Sequence, residues 1–479
     1  MRRLAWNRVA WILPAAVFTG CASVPRDAGF SDVEKAVTER TGHRVVWQDA
    51  SRSAPATSDE EIQPLLQGEL TADRAVEIAL QNNRDLQATL AELGIARADL
   101  IEAVTVRNPL LDGEIRFPGR PKSPFEIAVT QTLLDLLQLP ARRRFGTALF
   151  EASKLRVTGA VVRFAAEVRS DYYDLQAAQQ ILARQRVITE AARASAELSR
   201  RQHTAGNISD LDLENEQALY EQAKLDLARA ELEELQAREI LIADLGLLDG
   251  KTSFDLPDQF TPIPEREGSL EGLEEKAVAE RLDLRVERQE LEAAQRRLPV
   301  SRWAVLEDLS LGVHREREPE GESTTGPALT VPIPIFSRGN AQRARAAALL
   351  RQAQQRLAAL TVNARSEVRS ARERLLEARA RVEYLRDVLL PRRLRILALT
   401  QLEYNAMLRG VFQLIQARQN VAGAERELVL AQRDYWIARS DLDTALAGVT
   451  RFSSRPERPE FMRLELSRPP MQTQTRENE

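Results

Sequence analysis

Two stretches of this chain, about 140–204 and about 339–408, each read as one unbroken helix. Apolar residues recur at spacings of three and four, as in Val161, Phe164, Val168, Tyr172 and Leu175, with Leu182 two turns on. The opposite faces are Arg, Glu and Gln. At 1.5 Å per residue, a helix of roughly 65 residues is about 100 Å long. No globular domain has a core that deep, so such helices must pack along one another as coiled coils. Aromatics make up only 5 % of the 479 residues, which suits Ala- and Leu-packed helix. Tyr172, Tyr173 and Trp436 read as packing residues within it.

The long helices belong to two copies of one unit, residues 70–248 and 270–448. Ala79–Leu86 resembles Ala277–Leu284, and Ile127–Leu133 matches Leu329–Ile335. Gly206 answers Gly410, and Leu241–Gly246 answers Asp443–Gly448. The stretch 249–269 joins the copies, and 449–479, rich in Arg, Pro, Glu and Thr, reads as a partly ordered or disordered tail. Each copy opens with a helix, 72–105 or 271–298, ended by Pro109 or Pro299. Each closes with a returning helix, 210–245 or 411–447, after Gly206 or Gly410 breaks the long one.

Between the first and the long helix, period-2 alternation predicts two strands per copy, at about 109–117 and 125–133, then about 307–315 and 327–335. Leu111, Ile115, Ile127, Val129, Leu311, Val313 and Leu329 alternate with polar or small residues. Val331, Ile333 and Ile335 continue the last run, although Pro332 and Pro334 lack ladder donors and suggest an irregular lower end. Nine to eleven residues is the length of a membrane-spanning β-strand. Four strands cannot close a barrel, and open edges are not tolerated in lipid. A membrane-spanning chain of this kind must therefore oligomerise, and three copies would supply 12 strands. Two hairpins on a soluble helical protein are the alternative.

The N-terminus adds a targeting signal. Arg2, Arg3 and Arg8 precede the apolar run Val9–Phe18, which is too short to span a bilayer. Residues 1–20 read as a signal peptide ending before Cys21, and Phe18-Thr19-Gly20-Cys21 resembles a bacterial lipobox. Cys21 is then a lipidation site and 21–69 a lipidated linker, with diacylglyceryl and acyl chains the only groups attached and no cofactor. An ordinary secretory signal with a stray Cys is the other reading. Ala22, rather than Asp, points to the outer membrane.

Catalytic chemistry finds no support here. The net charge of −4 offers no basic footprint for nucleic acid, and three His with one Cys leave little for a metal centre. Gly246, Gly250, Lys251 and Thr252 miss the phosphate-loop spacing by one residue. The chain reads as no enzyme.

The doubled unit, the opening Leu70–Asn83, the Arg107-Asn108-Pro109 before the first strand and Leu329–Asn340 after the second loop resemble the TolC-like outer-membrane efflux factors. The resemblance covers about 70–448. It implies a mainly α fold with a small transmembrane β-barrel contribution: a homotrimer with a 12-stranded barrel in the outer membrane of a Gram-negative bacterium and an α-helical barrel through the periplasm. Its function would be that of a passive duct in a tripartite efflux system, served by a periplasmic adaptor (membrane fusion) protein and an inner-membrane pump of the RND type. Tyr404–Arg418 looks most like the heavy-metal branch. A periplasmic coiled-coil adaptor or structural lipoprotein bridging the two membranes is the alternative. The periplasmic tip and aperture would lie at the helix turns 203–214 and 406–416, where Asp210, Asp212 and Glu214 follow Gly206 and where Gly410, Gln413 and Gln416 stand in copy two. Asp210 either joins an acidic aperture ring or caps the helix that follows. Arg409 would link to Asp210 or Asp212 of a neighbouring turn and hold the tip shut.

Overall fold

The computed structural model describes residues 27–47, 66, 68–117, 123–247, 254–318, 320, 322–336 and 338–449. The expectations for 1–20, for Cys21, for Lys251 and Thr252 and for the tail from 450 onward lie outside the described residues.

The chain is mainly helical. In order come α1 (Phe30–Thr41), α2 (Ala72–Asn82), α3 (Arg84–Val104), β1 (Leu110–Ile115), β2 (Phe125–Thr132), α4 (Leu133–Thr204) and α5 (Asp210–Leu245). The second copy repeats the pattern with α6 (Leu273–Glu280), α7 (Leu282–Arg302), β3 (Ser310–Arg317), β4 (Ser323–Thr330), α8 (Asn340–Tyr384), a π turn (Leu385–Leu389), α9 (Leu390–Asn405) and α10 (Val411–Ala447). Among the described residues no helix is long and apolar enough to cross a membrane.

Where the helices begin and end departs from expectation at the prolines. The long helix begins at Leu133 and carries Pro140 inside its second turn; α7 runs through Pro299 to Arg302. Proline is tolerated best near a helix end, where few i→i−4 bonds are at stake. The first helix of each copy is not continuous either. It breaks at Asn83 and at Arg281, both with extended ψ.

Those two breaks do the same task with different chemistry. Asn83 caps α3 by accepting from Leu86 N (2.9 Å), while its Nδ2 donates to the Asp244 carbonyl (3.0 Å) at the end of α5. Asn82 Nδ2 donates to the Leu245 and Gly246 carbonyls. The last carbonyls of a helix have no partner within it, so these donors satisfy them. In copy two, Arg281 (1 % exposed) donates to the Ala445 carbonyl at the end of α10 (2.9 Å), and to Asp283 and Glu367 (2.7 Å each). Gly246 (φ 65°) and Gly448 (φ 76°) end the returning helices left-handed; a Cβ on Gly246 would come 2.8 Å from the Asn82 carbonyl oxygen.

The copy-one core joins Val76, Ile78, Leu80, Leu86, Leu90 and Leu93 to Val157, Val161, Val168, Tyr172 and Leu175 on α4 and to Leu241 and Leu245 on α5. The copy-two core centres on Val368, Leu375, Val382, Tyr435 and Leu442. Tyr172 is buried, and its hydroxyl donates to the Leu70 carbonyl (2.9 Å); Tyr173 stacks on Trp436. Two segments read as linkers contribute more than length. Phe30, Val33 and Val37 of α1 enter the copy-one core. Phe254 and Leu256 join it as well, and Leu70 N donates to the Asp255 carbonyl (2.8 Å). Glu267 accepts from the Tyr435 hydroxyl (2.6 Å) and pairs with Arg379 (3.1 Å).

Where the sheet meets the helices, buried Asp135 receives two bonds from Arg107 (2.7 and 3.0 Å) and one from Arg142 (3.4 Å). Burial pushes its carboxyl upward, but the Arg107 bonds and both positive charges outweigh that and hold it below its ordinary value of 3.8. The contribution is therefore present above pH about 4 and fades as pH falls through the lower folded value. Asp135→Asn should unfold at lower temperature than the parent at neutral pH, and the gap should narrow on acidification. Thermal melts by circular dichroism across pH 2–7 (a range of about five units) would show this.

Candidate functional site

Two regions carry the features a duct would need: the sheet and the helix turns at the far end of the long helices.

The four strands form one antiparallel sheet in the order β1-β2-β3-β4. Strands β1 and β4 are its edges. Register aligns Leu111, Val129, Val313 and Pro327 in one row. On the same face Ile127, Leu311 and Leu329 lie in the rows beside it. These are exposed: Leu111 at 73 %, Val313 at 56 % and Leu329 at 63 %. The upper part of that face in copy two is not apolar. Arg315 and Arg317 stand there, with Arg317 over the Phe125 ring at 5.7 Å.

The other face is polar. Glu114, Glu126 and Glu316 align across three strands, next to a row holding Asp112 and His314. His314 Nε2 lies 2.9 Å from Glu126, and Arg116 lies 2.8 Å from Glu114. In β3 Gly312 is required, because a Cβ there would strike the Val129 carbonyl.

The expected strand bounds need correction in copy two. Strand three, expected at 307–315, is Ser310–Arg317; strand four, expected at 327–335, is Ser323–Thr330. Residues 315–317 pair with 323–325, and Glu318 N donates to the Glu322 carbonyl (3.0 Å), so the loop is shorter than its composition suggested. Below Thr330, Pro332 and Pro334 offer no donors, and Val331, Ile333 and Ile335 leave the ladder as exposed apolar residues. In copy one the strands are Leu110–Ile115 and Phe125–Thr132, within the expected 109–117 and 125–133.

At the other end each long helix closes with the same hydrogen bonds. Gly206 N donates to the His203 carbonyl and Asn207 N to the Gln202 carbonyl; Met407 N donates to Tyr404 and Leu408 N to Glu403. This closure demands a left-handed residue. Gly206 supplies it at φ 75°, but in copy two Met407 does so at φ 60°. Gly410 is therefore not the counterpart of Gly206: with φ −78° it is the N-cap residue of α10, the place Ser209 holds before α5.

Nor does Asp210 cap its helix. Ser209 is the cap, its hydroxyl accepting from Asp212 N (3.2 Å), and Asp212 completes a capping box by accepting from Ser209 N (3.3 Å). Asp210 instead meets His203 Nε2 at 2.5 Å. Glu214, Gln413 and Gln416 are exposed on the first turns of α5 and α10. Arg409 pairs with Glu403 in its own turn (2.7 Å). The turns differ in character: Met407 (94 % exposed) and Leu408 make the second apolar where the first is polar. Among the described residues no His, Cys, Asp and Glu cluster could hold a metal ion.

The sequence of the chain matches the family described as Outer membrane efflux protein over residues 75–247 and 273–448. The cobalt-zinc-cadmium resistance protein CzcC of Cupriavidus metallidurans is 24 % identical over 341 residues, 68 % of this chain and 77 % of that protein. The Campylobacter jejuni CmeC outer membrane channel superposes with a TM-score of 0.67 at 15 % identity, covering 86 % of this chain and 92 % of that one. CusC, described in connection with transmembrane channel formation, superposes with a TM-score of 0.65 at 19 % identity, covering 79 % of this chain and 92 % of that one.

Proposed function

The chain belongs to the outer membrane efflux protein family, and on that footing we propose that it is the outer-membrane duct of a tripartite heavy-metal efflux system. One observation carries the reading: an antiparallel sheet with an exposed apolar face and two unpaired edges crowns a 72-residue helix. An exposed face of this kind needs lipid, and edges in lipid need partners. A homotrimer meets both demands by closing 12 strands, with the apolar rows outward and the Glu114–Glu126–Glu316 row lining the lumen. Acylated Cys21 would add a lipid anchor in the same membrane.

The duct performs no chemistry and spends no energy. A periplasmic adaptor would seat on the helix turns near 203–214 and 406–416 and join it to an RND-type inner-membrane pump. The likeness to a cobalt-zinc-cadmium resistance protein supports divalent cations as cargo, and carboxylates along a lumen favour cations over anions.

Purified in detergent and placed in planar bilayers, the protein should be a trimer that conducts ions, with a reversal potential that favours cations under a salt gradient. A non-conducting monomer would overturn the reading in favour of an adaptor.

A further inference from the structure

Charge is sorted across the sheet. Asp112, Glu114, Glu126 and Glu316 share the polar face with His314. Arg116, one residue past β1, pairs with Glu114 and Glu126, and His314 pairs with Glu126. On the apolar face of the four strands only Arg315 and Arg317 are charged, and both are positive. Among the described residues no ion pair joins either of them to a carboxylate, those of Glu318, Glu320 and Glu322 in the loop above included.

The surroundings of these two arginines are settled within the protomer, because β3 is an inner strand. Arg315 lies between Ile127 and Thr325, and Arg317 between Phe125 and Ser323. Closing a barrel would bring only a β1 edge beyond β4, and the residues of β1 on this face, Leu111, Gly113 and Ile115, carry no charge. No neighbouring copy can therefore supply the missing anion from its strands.

Their height is fixed as well. The Arg317–Ser323 pair is the last rung before the loop, at the end of the sheet away from the helices. Seven residues at about 3.3 Å each set Arg317 about 23 Å along β3 from Ser310. A strand tilt of 35–45° makes that roughly 18 Å of height, towards the top of an apolar band about 25 Å tall. A lipid-facing cation is unfavourable at the bilayer midplane and nearly neutral at the interface. At this level a guanidinium meets lipid headgroups.

The local chemistry is that of an anion site. Two guanidiniums and the hydroxyls of Ser323 and Thr325 stand together with no carboxylate among them. The arginines are two residues apart on one strand, about 7 Å between Cα atoms, so both can converge on one phosphate. The guanidinium fork matches phosphate oxygens two at a time. The Phe125 ring, 5.7 Å from the Arg317 guanidinium, limits the freedom of that side chain. Ile115 continues the same row as an apolar surface for acyl chains.

We propose that Arg315 and Arg317, with Ser323 and Thr325, bind a phosphate of the lipopolysaccharide that forms the outer leaflet of a Gram-negative outer membrane, one lipid against each copy. This rests on the outer-membrane duct proposed above and adds a lipid ligand to its outer wall, away from the lumen.

The test uses purified full-length protein in detergent, incubated with lipid A and read by native mass spectrometry. The parent should retain up to one lipid A per copy. Lipid A stripped of its phosphates should bind at least about tenfold more weakly, the scale of losing one charge-assisted hydrogen bond. Arg315→Gln with Arg317→Gln should lose that preference and still conduct in planar bilayers. Phosphatidylglycerol or inorganic phosphate at the same concentration should displace little lipid A. Equal retention of the two lipid A forms by the parent would overturn the proposal without any variant, and a preference that survives in the double variant would place the phosphate elsewhere. Ready displacement by phosphatidylglycerol or by inorganic phosphate would overturn the choice of lipid. A conducting trimer indifferent to the phosphates would overturn the site and leave the duct standing; a non-conducting monomer would overturn both.

Discussion

Replacing Val129 and Val313 together by lysine should abolish assembly in the outer membrane while leaving the helices folded. The two residues are direct neighbours in register, on adjacent strands, and both are exposed on the apolar face. A lysine on the lipid face at the bilayer midplane costs about 2–4 kcal/mol, so the pair costs about 4–8 kcal/mol in each copy. In the proposed trimer three copies would share one barrel, which would multiply the penalty. Thr130→Lys is the control. It lies one residue away on the polar face, where a charge would meet water and nearby carboxylates. Membrane fractionation with a gel assay for the trimer reads the result: the double variant lost from the membrane and the control retained. The opposite pattern would mean that the apolar face does not meet lipid.

The second large effect is expected at Arg281. Its guanidinium is buried and bonds at once to Asp283, Glu367 and the Ala445 carbonyl. Arg281→Met would leave two carboxylates without their cation and a helix-end carbonyl without a donor. Removing one partner of a buried pair costs about 3–5 kcal/mol; the partial exposure of Glu367 places this case towards the lower end. Adding Glu367→Gln to Arg281→Met should recover part of the loss, because an uncompensated charge goes with it. Thermal unfolding of the single and double variants measures the recovery. Equal melting temperatures for parent and Arg281→Met would show that the network does not hold the top of α10.

Much of the architecture was legible because it is periodic. The returning helices, read as 210–245 and 411–447, are Asp210–Leu245 and Val411–Ala447, since Gly246 and Gly448 stop them locally. The copy-one strands were legible from alternation alone. The tip was less so. Gly410 drew attention by residue type, yet the left-handed position is set by its distance from the helix end, and Met407 occupies it. Ser209 and Asp210 are adjacent and share the same capping propensity, so residue type alone does not separate them. Arg281 carries a signal in the sequence: it replaces an asparagine at the matching break of copy one, and a change of residue type at a repeated position asks for a different partner.

Periodicity and doubling are properties of neighbouring residues, so the sequence by itself determined the long helices, the two copies and an alternating sheet too small to close alone. The tertiary structure decided the rest, because it depends on residues far apart in the chain. It set the order of the helices across the protomer and the pairing of Glu267 with Tyr435 and Arg379. It packed α1 and the 254–260 strap into the core.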